Sequence, residues 1–106
     1  VIIDEDLSAR AEALGQIFRE RCSTLLRKHA WVETVRGRGL LNAIVIAKEH
    51  PVTALTICHR LADAGLLAKP THDTIIRFAP PLVISEGELH SAIDLILRVF
   101  DQCAKL

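Results

Sequence analysis

Apolar residues recur at helical spacing in three stretches of the chain, each with its apolar side chains on one face. The stretches are Leu7 to about Leu26, Val52 to Ala64, and Leu89 to about Cys103. Asp4 or Asp6 is expected to cap the first helix. Pro51 suits the first turn of the second helix, and Gly65 its end. The segment from Ser85 to Glu88 matches the S-x-x-E capping box and predicts the start of the third.

Four aliphatic stretches are predicted to be strands: Val32–Val35, Leu40–Ala47, Leu66–Lys69 and Ile75–Ala79. The polar residues from Thr71 to Thr74 form the turn between the last two. Pro80 and Pro81 end the last strand, because neither can donate a hydrogen bond to a neighbouring strand.

The predicted order is therefore α-β-β-α-β-β-α. A small, largely antiparallel sheet with the helices packed on one face accommodates this order, as an α+β two-layer sandwich. The 106 residues predict a single domain. Because the chain contains no methionine and opens on Val1-Ile2-Ile3, we expect it to be a piece of a longer protein.

Composition narrows the functional classes. Thirteen basic residues balance thirteen acidic ones, so no excess of positive charge indicates a nucleic-acid or membrane-surface partner. The chain has no apolar run as long as a membrane span. The three cysteines lie far apart in predicted helices, and the five histidines are scattered, so neither a disulfide framework nor a metal site is expected. The cysteines are interpreted as small, reduced core residues.

The segment from Arg36 to Gly39 contains a GxG pattern. A phosphate-binding loop of that kind requires a helix after it, whereas here a strand follows. The glycines are therefore interpreted as allowing a bulge or sharp bend between two strands.

No motif for a catalytic nucleophile is present. Asp63 and Asp73 are possible acid–base groups, but no more so than other surface carboxylates. None of the four lysines follows an apolar strand in a setting that would suit Schiff-base chemistry. Lys69 comes nearest to that role, but a lysine at a strand end is most often solvated.

Arg77 stands within the apolar stretch IIRFAPPLVI. Since side chains alternate along a strand, Ile76 and Phe78 share the core face, and Arg77 projects from the other face with Ile75 and Ala79. Two alternatives follow from the residues alone. Arg77 forms an internal salt bridge, or its planar guanidinium clamps the carboxylate of a ligand.

Three segments together carry a family pattern: VRGRGLLNAIVI (Val35–Ile46), GLLAKPTH (Gly65–His72) and IIRFAPPLVI (Ile75–Ile84). In this order they closely resemble the C-terminal part of the class III, fold type I aminotransferases, and the ornithine aminotransferases most of all. One departure is visible: family members often have a glycine after the histidine of the turn, where this chain has Asp73.

The resemblance implies that residues 1–106 are the C-terminal small domain of a homodimeric enzyme that uses pyridoxal 5′-phosphate. That enzyme transfers the δ-amino group of ornithine to 2-oxoglutarate and yields glutamate semialdehyde and glutamate. By the resemblance, Arg77 binds the α-carboxylate of glutamate or 2-oxoglutarate. The catalytic lysine and the cofactor-binding residues belong to the large domain. The chain alone is therefore expected to contain no catalytic, cofactor-binding or metal-binding residue and to be inactive.

Other functions remain open on the sequence. The chain is alternatively a free-standing carboxylate-binding or regulatory module, or a domain of a related acetylornithine or 4-aminobutyrate aminotransferase. The cytoplasm and the mitochondrial matrix both suit reduced cysteines.

Overall fold

Helices and strands follow one another in the predicted order. The computed structural model describes the backbone of residues 2–79 and 84–104, and the side chains of residues 9–79 and 84–104. Its elements are α1 (Ile2–Cys22), α2 (Thr24–Lys28), β1 (Val32–Arg38), β2 (Leu41–Ile46), α3 (Ala54–Asp63), β3 (Lys69–Thr71), β4 (Ile75–Phe78) and α4 (Glu86–Cys103).

The four strands form one antiparallel sheet in the order β1-β2-β4-β3. Side chains of the central strands alternate between the two faces. Ile44 and Ile46 of β2 and Ile76 and Phe78 of β4 are buried on one face, whereas Arg77 is exposed on the other. The predicted orientation of β4 is thereby confirmed.

An irregularity in β1 lets two valines three positions apart face the core together. Val32 pairs with Ile46 and Val35 pairs with Ile44, with a shift of register between Val32 and Thr34. Because strict alternation would place residues three apart on opposite faces, the extra residue of a β-bulge is required here.

The helices cover the face of the sheet that carries the buried isoleucines. Helices α1 and α3 contact the strands directly, and α4 packs against α1 and α3. The core that they share includes buried residues from all four helices and from strands β2 and β4: Phe18, Leu25, Ile44, Ile57, Leu61, Ile76, Ile93, Ile96 and Phe100. The predicted α+β arrangement with helices on one face of an antiparallel sheet is confirmed.

The capping box at the start of α4 is also confirmed. The backbone N–H of Glu88 donates to Ser85 Oγ at 3.1 Å, and the backbone N–H of Ser85 donates to Glu88 Oε1 at 3.0 Å. The hydrogen bonds that Ser85 donates to the Glu88 carboxylate, first from its backbone N–H and then from its side chain, lower the pKa of that carboxyl, because the charged form accepts them more strongly.

The first helical stretch differs from the prediction at its start and at Ser23. Helix α1 begins at Ile2, so Asp4 and Asp6 lie inside the helix and not at its start. The stretch is also divided at Ser23, whose hydroxyl donates to the carbonyl of Arg19. Such bonding of a side chain to the preceding helical turn competes with the backbone pattern and bends helices.

The residues around α3 also differ from the prediction. Thr53 is the N-cap and accepts a hydrogen bond from the N–H of Thr56, so Pro51 lies before the helix and not in its first turn. Gly65, at φ +102°, ends the helix region as predicted. The N–H of Leu66 donates to the carbonyl of Leu61 at 2.8 Å, which is a Schellman closure.

Because Leu66 belongs to that closure, the third strand is shifted toward the C-terminus. It covers Lys69–Thr71 and not Leu66–Lys69, and His72 adopts the left-handed φ of 55° in the turn. Strand β4 ends at Phe78, one residue earlier than predicted. The predicted strand-ending role of Pro80 and Pro81 lies outside the described residues.

Helix α1 approaches the β1–β2 hairpin very closely at Gly15. A Cβ atom built on Gly15 would lie 1.8 Å from the carbonyl oxygen of Gly39, which is backbone and cannot rotate away. Gly39 itself has φ +57° and forms the bend between the strands, so the bend expected from the GxG pattern is confirmed. A glycine at position 15 is therefore a requirement of packing.

We expect Gly15→Ala to destabilise the protein by about 1–3 kcal/mol, the usual cost of overpacking, although alanine is the better helix former. Gly87→Ala is the matched control, because Gly87 also lies in a helix and an added Cβ there meets nothing within 4 Å. Urea denaturation measures both. Equal stability of the two variants would contradict the close contact at Gly15.

The three cysteines are free and buried, as predicted. Burial raises the pKa of Cys22 to about 12 and that of Cys58 to about 11, and it also raises the pKa of Cys103. A thiol reacts as its thiolate, so these side chains are protected in two ways: they are buried away from reagents, and they stay in the protonated form.

We therefore expect none of the three thiols to react rapidly with Ellman's reagent at pH 8 in the folded protein. All three should react once guanidinium chloride unfolds the chain, since each thiol then has about its ordinary pKa of 8.5. A thiol that reacts stoichiometrically within seconds under native conditions would refute this assignment.

Candidate functional site

The sheet face opposite the helices carries polar and apolar side chains that the described residues leave accessible. Leu41 is 70% exposed, and Leu67 beside the sheet is 84% exposed. Arg77 is exposed on the same face, as predicted, and Ala43 and Ile75 are half-buried. We call this surface the open face of the sheet.

Strand register places three cations in one row across the open face. Arg36 pairs with Ala43, Ala43 pairs with Arg77, and Arg77 pairs with Lys69. Directly opposed residues of antiparallel strands point their side chains to the same face. The row Arg36–Ala43–Arg77–Lys69 therefore presents three positive charges, with the small Ala43 as a gap between two of them.

A groove of about 720 Å³ runs over this row. That volume is within the range of small-molecule sites. Arg38 adds a fourth cation to the groove, and Leu41 and Leu67 contribute apolar wall. Among the described residues its lining includes no aspartate or glutamate, so its electrostatic character favours an anion.

Arg77 is available to bind a ligand. None of the ion pairs within residues 9–79 and 84–104 involves it. Strand β4 lies between two other strands and is held by Ile76 and Phe78 in the core. The exposed guanidinium of Arg77 therefore keeps its donors directed outward. Such a group can donate two parallel hydrogen bonds to a carboxylate.

A polar network holds the hairpin end of the groove against α1. Arg19 donates to Asn42 Oδ1 at 2.8 Å and forms an ion pair with Glu12 at 2.6 Å. The other oxygen of Glu12 accepts from the N–H of Gly39 at 2.9 Å, and Asn42 donates to the carbonyl of Gly39 at 3.1 Å. Asn42 is buried, so these bonds satisfy a polar side chain that would otherwise be costly in the core.

The other residues considered from sequence lie elsewhere. Asp63 is exposed at the end of α3 and Asp73 is exposed in the β3–β4 turn, and neither lines the groove. In the part of the chain that the structure describes, no group of three or more His, Cys, Asp or Glu side chains could hold a metal ion. No helix among those residues is long and apolar enough to cross a membrane.

The described lysines do not form a site for a carbonyl cofactor. Lys28, Lys48 and Lys69 are all exposed to water, whereas a lysine that forms a Schiff base with a cofactor is held in a pocket that excludes water. Pyridoxal phosphate therefore does not fit the residues described here by themselves.

Sequence reasoning identifies Arg77 but misses its row. It treats Lys69 as a solvated strand-end residue, and Arg36 only as part of the GxG segment. Lys69 and Arg77 pair across the β3–β4 hairpin, and Asp73 in its turn is equally far from both along the sequence. Correct placement of β3 would therefore have revealed this pairing. Arg36 joins the row only because β2 lies between β1 and β4, which is a matter of sheet order.

Comparison with known proteins identifies one family that matches most of the chain. The model of the family Aminotransferase class-III matches residues 1–100. The ornithine aminotransferase of Emericella nidulans is 48% identical over 98 residues, which cover 91% of this chain and 21% of that protein. The chain spans about a fifth to a quarter of the length of the curated relatives it matches.

Solved structures also share the fold, including those of two aminotransferases. A crystal structure of the ornithine aminotransferase from Toxoplasma gondii superposes with a TM-score of 0.88 at 37% identity, over 96% of this chain and 24% of that one. The acetylornithine aminotransferase from Elizabethkingia anophelis gives a TM-score of 0.84 at 46% identity, over 95% of this chain and 25% of that one.

Proposed function

This chain belongs to the class-III aminotransferases, and we propose that it is the C-terminal small domain of an ornithine aminotransferase. The parent would transfer the δ-amino group of ornithine to 2-oxoglutarate and form glutamate semialdehyde and glutamate. The names of the similar proteins support this assignment, as does the share of their length that the chain spans.

We propose that Arg77 binds the α-carboxylate of 2-oxoglutarate or glutamate. The observation that carries this proposal is an exposed arginine, without an ion pair among the described residues, in a groove that those residues line with cations and no carboxylates. Two parallel hydrogen bonds from the guanidinium would fix the position and the rotation of the carboxylate. Fixing both orients the keto or amino carbon toward the reacting groups, which is the part of catalysis that this chain would contribute.

The remainder of the active site would come from outside the chain. Pyridoxal 5′-phosphate supplies the amino-group chemistry in such an enzyme, and we assign its binding to the large domain of the parent. The open face, with exposed Leu41 and Leu67 around its cations, would face that domain. We further propose that the parent is a homodimer located in the cytoplasm or the mitochondrial matrix, where three free cysteines stay reduced.

An acetylornithine donor is the second candidate, and the similarity to the Elizabethkingia anophelis enzyme favours it. We propose the same acceptor, 2-oxoglutarate, for both alternatives, so Arg77 would have the same role in each. Initial rates of the full-length enzyme with ornithine, acetylornithine and 4-aminobutyrate decide between donors.

We predict that Arg77→Ala in the full-length enzyme raises the KM for 2-oxoglutarate about 10- to 100-fold. The lost contact is charge-assisted and worth about 1.5–3 kcal/mol. The melting temperature should change little, because the Arg77 side chain is exposed and lies outside the core. Arg77→Lys should recover only part of the loss, because lysine keeps the charge but not the planar fork.

Arg27→Ala is the control, since Arg27 is exposed at the end of α2, away from the groove. It should leave the KM unchanged. If Arg77→Ala instead lowers the melting temperature and leaves the 2-oxoglutarate dependence intact, Arg77 is a structural residue and the proposed clamp is wrong.

We also predict that the isolated chain is inactive as a transaminase and self-associates as its concentration rises. Contiguous exposed apolar surface such as that around Leu41 and Leu67 tends to find partners. Sedimentation velocity over a range of concentrations measures the association. Leu41→Ser with Leu67→Ser should reduce it, and an unsubstituted chain that stays strictly monomeric at high concentration would contradict the prediction.

A further inference from the structure

Lys69 and Arg77 are directly opposed on neighbouring antiparallel strands. Their Cα atoms are register partners, so their side chains leave the same face of the sheet about 5 Å apart at the Cβ atoms. Like charges placed directly opposite one another destabilise a strand pair. This arrangement is therefore not explained by the stability of the β3–β4 hairpin.

The described surroundings do not neutralise this pair of charges. Neither Lys69 nor Arg77 has an ion pair within residues 9–79 and 84–104. Arg36 continues the row beyond Ala43, and the described lining of the groove above contains no acidic side chain. An anion that lies between or above Lys69 and Arg77 would relieve their repulsion.

We propose that Lys69 is a second binding residue for the anionic amino acceptor. Together with Arg77 it makes the groove over the cationic row selective for a dianion. Lys69 would contact the carboxylate held by Arg77 from the β3 side, as a point charge beside the planar guanidinium. This inference rests on the role proposed for Arg77. It assigns the edge strand β3 a part in substrate selection.

The charges of the two substrates make the selectivity explicit. At neutral pH 2-oxoglutarate carries two negative charges and no positive charge, whereas ornithine carries two ammonium groups and one carboxylate. A row of cations attracts the first and repels the second. Lys69 therefore favours the acceptor over the donor at the same surface.

The test is Lys69→Gln in the full-length enzyme, with Lys48→Gln as the matched control. Lys48 is also exposed, but it does not line the groove. We expect Lys69→Gln to raise the KM for 2-oxoglutarate about two- to fivefold, the effect of one partly exposed charge. The KM for ornithine should stay the same or fall. Raising the ionic strength should shrink the difference from wild type, since salt screens exposed charges.

Thermal stability separates binding from a structural role. Lys69→Gln should keep or raise the melting temperature, because it removes the repulsion from Arg77. Lys69→Glu should raise the melting temperature further and raise the KM for 2-oxoglutarate more than Lys69→Gln does, because the introduced carboxylate would pair with Arg77 and occupy its donors. Equilibrium binding of 2-oxoglutarate measured by calorimetry should follow the same order.

The outcomes also separate this inference from the proposed function. If Arg77→Ala raises the KM for 2-oxoglutarate but Lys69→Gln does not, Arg77 is the clamp and the inference about Lys69 is wrong. If neither variant changes the KM for 2-oxoglutarate, the proposed role of Arg77 is wrong, and so is the inference about Lys69 that rests on it. If Lys69→Gln lowers the melting temperature with unchanged acceptor kinetics, Lys69 pairs with a carboxylate of the large domain, and the inference is refuted.

Discussion

The alternation of side chains along the paired strands β2 and β4 fixes which residues enter the core and which face outward. Because Ile44 and Ile76 must enter the core, their neighbours Ala43 and Arg77 must leave it on the opposite face. Moving either strand by one residue would exchange the faces and place a guanidinium among aliphatic side chains. Burial of the core thus fixes the position of the cation, and the open face gains its chemistry as a consequence of how the other face packs.

The second constraint is the close contact between α1 and the β1–β2 hairpin. Gly15 lets the helix backbone reach the carbonyl of Gly39, and the side chains of Arg19, Glu12 and Asn42 satisfy the polar groups around that contact. Each member of the network bonds to at least one other, and no buried side-chain polar atom of the described residues is left without a partner. The network holds the hairpin that carries the outer end of the cationic row against α1.

The two sides of the sheet differ in how their cations are partnered. On the helical side several cations have acidic partners, Arg19 with Glu12, Arg21 with Asp94 and Lys28 with Asp101, although Arg27, Arg60 and Arg98 have none among the described residues. On the open face, the cations have no such partners among the described residues. Exposed unpaired charge on short, well-anchored strands is a poor source of stability but a good arrangement for binding, because the groups are held in place before the ligand arrives.

The sequence alone predicts the order of the strands and of the three longer helices, the capping box of α4, the buried cysteines and the direction of Arg77, because each depends on residues within one or two turns of each other or on simple alternation. The start of α3 and the position of β3 differ from that prediction, since Thr53 and the Schellman closure at Leu66 compete with propensity through local hydrogen bonds. The pairing of Lys69 with Arg77 is also local, because both belong to the β3–β4 hairpin, and it follows once β3 is placed correctly. The position of Arg36 in the same row is fixed only in the folded sheet, because it depends on sheet order, which is set by contacts between residues far apart in the chain.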